Sequence, residues 1–196
     1  MKKIGIRISF VLLLLFLIAC ENNTKLDNTL SKVNLSDREK ILLSSASDES
    51  FVFEFQADDK YKQVSLWVEK YEFGRLTEEN IGRMTTEIEE NGMLIFSISK
   101  MSFDEEIIIF NMSVGDDASS SKITTHQVLP TESQSIWGSN PLESIPITDQ
   151  MVLATICYAK GNGMSSPSTE FYAVMDNRIG EIANYDVVYV WKSEFH

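Results

Sequence analysis

Two cysteines, two histidines and several runs of adjacent carboxylates are the residues of this 196-residue chain whose types could do chemistry. A thiolate is a nucleophile when a neighbouring histidine or other cation lowers its pKa. Cys157 has no such neighbour in sequence: it sits in the apolar run 151–158, and His126 and the terminal His196 lie well away along the chain. A free cysteine in such a run packs as a small hydrophobe. Asp58 with Asp59, Asp104 with Glu105 and Glu106, and Asp116 with Asp117 offer carboxylates. Paired carboxylates can hydrolyse glycosidic bonds, but none of these has the spacing of a calcium loop. Residues 160–166 place two glycines between a strand and a helix, where phosphate can bind, yet lack the Gly-Lys-Ser/Thr ending of a P-loop. They read as a glycine-rich connection. No His-x-x-x-His, Cys-x-x-Cys or Gly-x-Ser-x-Gly motif occurs, so the sequence calls for no cofactor and offers too few ligands for zinc.

Cys20 is a different case. Lys2, Lys3 and Arg7 charge the front of the chain, residues 10–19 are an unbroken apolar run, and small Ala19 directly precedes the cysteine. This is the layout of an export signal. The run has ten residues, too few for a membrane span of roughly 17–25. Leu17, Ile18, Ala19 and Cys20 resemble the lipobox of bacterial lipoproteins, although Ile18 is bulkier than the usual residue there. The resemblance implies that residues 1–19 are a signal peptide, that the Cys20 thiol receives a diacylglycerol, and that cleavage leaves Cys20 as the mature N-terminus. Two acyl chains hold a protein firmly where one does so only marginally. The expected location is the outer face of a bacterial cell membrane, with the lipid on Cys20 as the membrane contact.

Removing Lys2, Lys3 and Arg7 from 17 basic residues leaves 14 against 29 acidic ones, a formal charge of −15. Such a chain is repelled by nucleic-acid phosphates, so no nucleic-acid partner is expected, whereas a cationic protein or peptide would be drawn in. With Cys20 lipidated, Cys157 has no partner for a disulfide.

Residues 20–35 are polar and asparagine-rich and read as a lipidated flexible tether; residues 36–196 read as one β-rich extracytoplasmic domain. Ser36 followed by Glu39 predicts a capping box opening a short helix over 36–45, closing one end of the domain. From Phe51 the apolar period becomes two. It predicts strands over 51–56, 61–71, 84–88, 94–98, 103–114, 123–129, 151–159 and 187–191, with Asn91 and Gly92 as a hairpin turn. Residues 130–150 read as an irregular loop. Phe171, Val174, Met175, Ile179 and Ile182 recur at helical spacing, predicting one C-terminal helix with Pro167 in its first turn and Ser166 as its cap. The expected fold is mainly β: an antiparallel β-sandwich, immunoglobulin-like, with a short N-terminal helix and one C-terminal helix.

Tyr61, Trp67 and Tyr71 share parity with Gln63, Ser65 and Glu69, opposite Val64, Leu66 and Val68. Aromatic residues on a polar face form a candidate partner-contact stripe, and Glu69 and Glu72 beside them would select a cation. Burial under a neighbouring element is the commoner fate of such residues. The segment Val64-Ser65-Leu66-Trp67-Val68-Glu69-Lys70-Tyr71-Glu72-Phe73-Gly74 is similar to uncharacterised small lipoproteins of Gram-positive type, a likeness that implies no activity. The expected function is that of a membrane-anchored, non-catalytic binding or interaction domain; the alternative is an extracytoplasmic hydrolase using carboxylates.

Overall fold

Alternation of apolar and polar side chains builds two antiparallel sheets that share one core. The computed structural model describes residues 28–102, 106–116, 119–129, 133–161 and 163–196. The expected signal peptide, Cys20 and the part of the expected tether before residue 28 lie outside the described residues. One sheet has the order β7-β6-β5-β2-β1-β9, formed by β7 (Ser120–Val128), β6 (Glu106–Gly115), β5 (Asn91–Ser102), β2 (Glu49–Gln56), β1 (Thr29–Lys32) and β9 (Ile145–Pro146). The other has the order β4-β3-β11-β10-β8, formed by β4 (Arg75–Glu87), β3 (Gln63–Glu72), β11 (Val187–Phe195), β10 (Met151–Ala159) and β8 (Gln134–Ser139). Six and five strands in these orders differ from the four-plus-three arrangement of a constant-type immunoglobulin domain.

The facing sides of the sheets meet through aromatic rings. Phe110 of the first sheet packs edge-on against Tyr189 and Trp191 of the second, at 4.9 and 5.2 Å between centroids, and Phe55 meets Phe195 at 5.3 Å. Val64, Leu66 and Val68 lie in this core, as their parity requires. A second apolar cluster covers the outer face of the five-stranded sheet. There Tyr71, Val152, Cys157, Val188 and Val190 receive Phe171, Tyr172, Met175 and Ile182 from the segment before β11.

Several expectations are corrected by long-range pairing. The tether was expected to run to residue 35, yet the chain is tied in from Thr29: β1 pairs with β2 and β9, and Leu30 is fully buried. Asn91 and Gly92 do not make a hairpin turn, because β4 and β5 belong to different sheets. Gly92 is required for another reason: a Cβ there would lie 2.6 Å from the Phe55 ring. The true tight hairpin joins β3 to β4 through Phe73 and Gly74, whose φ angles of 49° and 74° suit a two-residue turn. The expected loop 130–150 contains β8 and β9.

The N-terminal helix α1 (Asp37–Ala46) has its capping box: Glu39 N–H donates to the Ser36 hydroxyl and the Glu39 carboxylate accepts from Ser36 N–H. It does not plug the domain, for none of its residues is buried and Ile41 and Leu42 face solvent. The single C-terminal helix is instead α2 (Thr169–Ala173), α3 (Met175–Arg178) and a 3-10 turn (Ile179–Ile182). Ser168, not Ser166, caps α2. Val174 breaks the run with φ −143° and ψ 54°, leaving its side chain exposed while Phe171 and Met175 reach the sheet.

Two outcomes follow from this packing. Leu30→Ala removes a fully buried side chain and should lower unfolding stability by about 2–5 kcal/mol, and a chain beginning at residue 36 should be less stable than one beginning at residue 28. Equal urea midpoints would show that β1 is dispensable. Burial also pushes the hydroxyls of Tyr71, Tyr158, Tyr172 and Tyr189 above the ordinary tyrosine value, Tyr172 to about 12. The folded chain keeps these protons at a pH where the unfolded chain releases them. Their contribution to stability is therefore intact below about pH 10 and is lost as pH rises beyond it. Among the described residues the Tyr189 hydroxyl has no hydrogen-bond partner, so Tyr189→Phe should reduce the alkaline loss at no cost in stability near neutral pH, as read from melting temperatures between pH 7 and 11.

Candidate functional site

On β3, Trp67, Glu69 and Tyr71 point to the outer face of the five-stranded sheet, because Val64, Leu66 and Val68 take the inner one. β11 runs beside them, with Lys192 opposite Trp67 and Val190 opposite Glu69. Lys192 is thus the diagonal neighbour of Glu69 and reaches its carboxylate at 2.9 Å. The other donors come from β3 itself: the Trp67 indole N–H donates to Glu69 Oε1 at 3.1 Å and the Tyr71 hydroxyl to Oε2 at 2.6 Å. Glu69 is 7 % exposed, Lys192 8 %, Tyr71 6 % and Trp67 1 %. Burial, then the Glu69 carboxylate, holds the Tyr71 hydroxyl far above its ordinary pKa and keeps it a donor.

The sequence placed a contact stripe on Tyr61, Trp67 and Tyr71. The structure brings Trp67 and Tyr71 together through Glu69 but buries both, so they are not the exposed stripe expected. Tyr61 is elsewhere: it precedes β3 and packs into the inter-sheet core against Phe195 at 6.0 Å. Cys20 lies outside the described residues. Lys192 and Arg83 were missed, since their place follows from strand pairing; the one local signal was an acid set between two aromatic hydrogen-bond donors of the same parity.

Above this cluster lies a cleft of about 350 Å³ whose wall includes Leu76, Glu79, Asn80, Arg83, Gln150 and Asp176. A neighbouring hollow of about 250 Å³, under α2 and α3, shares Gln150, Asp176 and Lys192 with it. Arg83 lies over the Trp67 ring at 4.3 Å and pairs with Glu194 at 3.0 Å. Glu79 and Asp176 sit at the rim and have no ion-pair partner among the described residues. A larger hollow, about 800 Å³, opens beside Glu54, Glu89, Glu90 and Asn91. Those four side chains are solvent-exposed; the smaller cleft has the buried, interlocked floor, and a built floor is what a binding site needs.

A profile of the YgaN domain matches residues 29–195. The chain belongs to the YgaN domain family. The match begins at the first residue of β1 and ends at the last of β11, so the YgaN domain takes in both sheets, the cleft and the strand hidden in the expected tether. No curated protein and no solved structure gives a significant match.

The chemistry open to the YgaN domain at this cleft is set by what its floor has already committed. Glu69 accepts from two aromatic donors and an ammonium. Cys157, fully buried behind the neighbouring strand, has its thiol pushed by burial up to about 12 against a smaller effect of the Thr155 hydroxyl. The glycine-rich stretch after β10 is held by Lys160 N–H on Asp186 and by the Tyr185 hydroxyl on the Ser165 carbonyl. Among the described residues no group of three or more His, Cys, Asp or Glu is placed to hold a metal ion. Glu69→Gln strips the Lys192 ammonium of its buried partner and should cost about 3–5 kcal/mol. Adding Lys192→Met should recover part of that loss in a double-mutant cycle followed by urea unfolding; full additivity would mean the two side chains do not interact.

Proposed function

We propose that this YgaN-domain chain is a membrane-anchored extracytoplasmic lipoprotein whose domain acts as a non-catalytic binding or interaction module, with the cleft over Glu69 as its partner site. The observation that carries the reading is the floor of that cleft, a buried carboxylate tied to Trp67, Tyr71 and Lys192 on the outside of a sheet. A buried ion pair is weak support for stability, since an apolar pair of similar volume often does as well. Its presence at the base of a concavity favours use of the surface. The unpaired carboxylates Glu79 and Asp176 at the rim favour a cationic protein or peptide as partner. The alternative, hydrolysis on carboxylates, needs an acid placed to take and give a proton at a reacting atom; Glu69 is held by three donors, and Glu79 and Asp176 stand solvent-exposed at the rim.

The rest of the proposal concerns how the domain is held. Among the described residues no helix is long and apolar enough to cross a membrane, and the anchor is the lipid on Cys20. Eight residues separate Cys20 from Thr29, a reach of at most about 32 Å. The end of the domain where β1 enters bears Asp58, Asp59, Glu89 and Glu90. That end sits nearest the bilayer, and α1, which joins the far end of β1 to the start of β2, lies at the opposite end. The pair of sheets joined by aromatic contacts is read as a β-sandwich, immunoglobulin-like in that broad sense, with the strand orders given above.

Both halves of the reading are testable in cells. Cys20→Ser should abolish labelling by a fatty acid and release the chain from membranes or leave it uncleaved; label that persists on the variant refutes the anchor. Glu79→Lys together with Asp176→Lys should reduce by at least tenfold whatever partner the wild-type domain retains, with the far-UV spectrum unchanged. Equal retention by the two proteins overturns the cleft reading.

A further inference from the structure

Trp67 owes its cover to a residue of the chain itself. The Arg83 guanidinium lies 4.3 Å from the centre of the indole, with Nη1 donating to Asn80 Oδ1 and Nη2 to Glu194 Oε2, each at 3.0 Å. The Arg83 side chain is 34 % exposed. It is borne on the edge strand β4, where pairing with β3 slips between Leu66 and Val68 and where Asn80 and Gly82 both have φ of 59°. Solvent-facing contacts on an irregular edge hold a side chain weakly. The indole below is rigid by contrast, because its N–H is spent on Glu69 and its plane is fixed by the sheet. What Trp67 offers toward the cleft is a π face, and a π face attracts a cation.

The charges around that face point the same way. On the floor, Glu69 and Lys192 offset one another at 2.9 Å. Arg83 is offset by Glu194. Glu79 and Asp176 remain at the rim without an ion pair among the described residues. The cleft is thus short of positive charge, and its aromatic surface already holds a guanidinium. An anion would meet Glu79 and Asp176 on entry.

We infer that Arg83 is an intramolecular stand-in for the ligand: the cleft takes the guanidinium or primary ammonium group of a basic peptide, which replaces Arg83 over Trp67 and pairs with Glu79 and Asp176. The inference rests on the reading of this cleft as the partner site and adds the chemical class of the group bound and the residue it displaces. Arg83 swings aside on its edge strand with Glu194 still available as its partner. A neutral side chain gains neither the π contact nor the rim carboxylates.

The test is titration of the lipid-free domain, residues 28–196, with an acetylated tri-arginine amide and with its citrulline counterpart, which keeps the shape and lacks the charge. Trp137→Phe removes the exposed indole; of the two that remain, Trp191 is fully buried in the inter-sheet core, on the opposite face from the cleft, so a change in emission on binding reports on Trp67. The arginine peptide should bind saturably and the citrulline peptide should not. Arg83→Ala, and Arg83→Gln as a second form should the first unfold, should tighten binding about two- to five-fold, the factor matching the roughly 0.5–1 kcal/mol of an exposed cation–π contact. Glu79→Gln with Asp176→Asn should weaken it at least as much. If removing Arg83 weakens binding or leaves it unchanged while the rim substitutions still act, the stand-in is overturned and the cleft stands. If binding persists untouched by the rim substitutions, the cleft reading falls with it. Equal binding of the citrulline peptide, or no saturable binding to any of the proteins, overturns the ligand class and leaves the cleft to the charge-reversal experiment.

Discussion

The pairing of β3 with β11 is the constraint on which the rest of the structure depends. It joins Val64 through Tyr71 to Phe195 through Val188 in unbroken antiparallel register. Since side chains alternate across a strand, that single ladder assigns every residue of both strands to one face or the other. Inward it delivers Val64, Leu66 and Val68 with Tyr189, Trp191 and Phe195 to the core. Outward it delivers Trp67, Glu69, Tyr71 and Lys192 to the cleft, and Val188 and Val190 to the apolar cluster under the helical segment. A slip of β3 by one residue would turn Glu69 into the core, away from Lys192, and carry Val64, Leu66 and Val68 to the outer face. The core and the site are thus two readings of the same register, and the aromatic contacts that join the sheets also fix the position of the carboxylate on the other side.

Glu69 shows how a charge is accommodated at such a place. Taking a carboxylate out of water costs several kcal/mol, and attraction to one cation offsets this only with good geometry and further donors. Here the diagonal lysine supplies the cation, and two neighbours two residues away on the same strand supply the further donors. The covering helical segment completes the enclosure from the side, and its break at Val174 lets Asp176 stand at the rim while Met175 packs inward. The same break leaves a hollow beneath α2 and α3 that continues the cleft.

A second outcome of the fold is a contrast between its ends. Where β1 enters, turns carry Asp58, Asp59, Glu89 and Glu90. At the other end lie α1, with Ile41 and Leu42 exposed, the exposed tip residue Phe73, and Met101. The contrast lies in the exposed apolar side chains of the second end and not in a lack of acids there, since α1 itself carries Asp37 and Glu39. Local fields act over about 8–10 Å in physiological salt, so a partner approaching the cleft senses the nearby rim carboxylates rather than the net charge of the chain.

Sequence alone determined the local features. The helix start at Ser36 was legible because a capping box closes within four residues. The two faces of β3 were legible because parity is local, and the burial of Cys157 because its neighbours on both sides are apolar. Tertiary structure decided which strands pair, and hence everything that depends on partners distant along the chain. β1 is polar in sequence and becomes a strand only because β2 and β9 offer their edges; β8 and β9 arise in a stretch rich in proline and serine for the same reason. Asn91 and Gly92 carry the residues of a hairpin turn, yet Gly92 answers to the Phe55 ring across the sheet. The aromatic residues of β3 read as a possible surface stripe until Arg83 and the helical segment covered them. The physical reason is common to all: a strand's hydrogen bonds and burial are supplied by other strands, whereas a helix cap or a residue's parity is supplied within a few residues of itself.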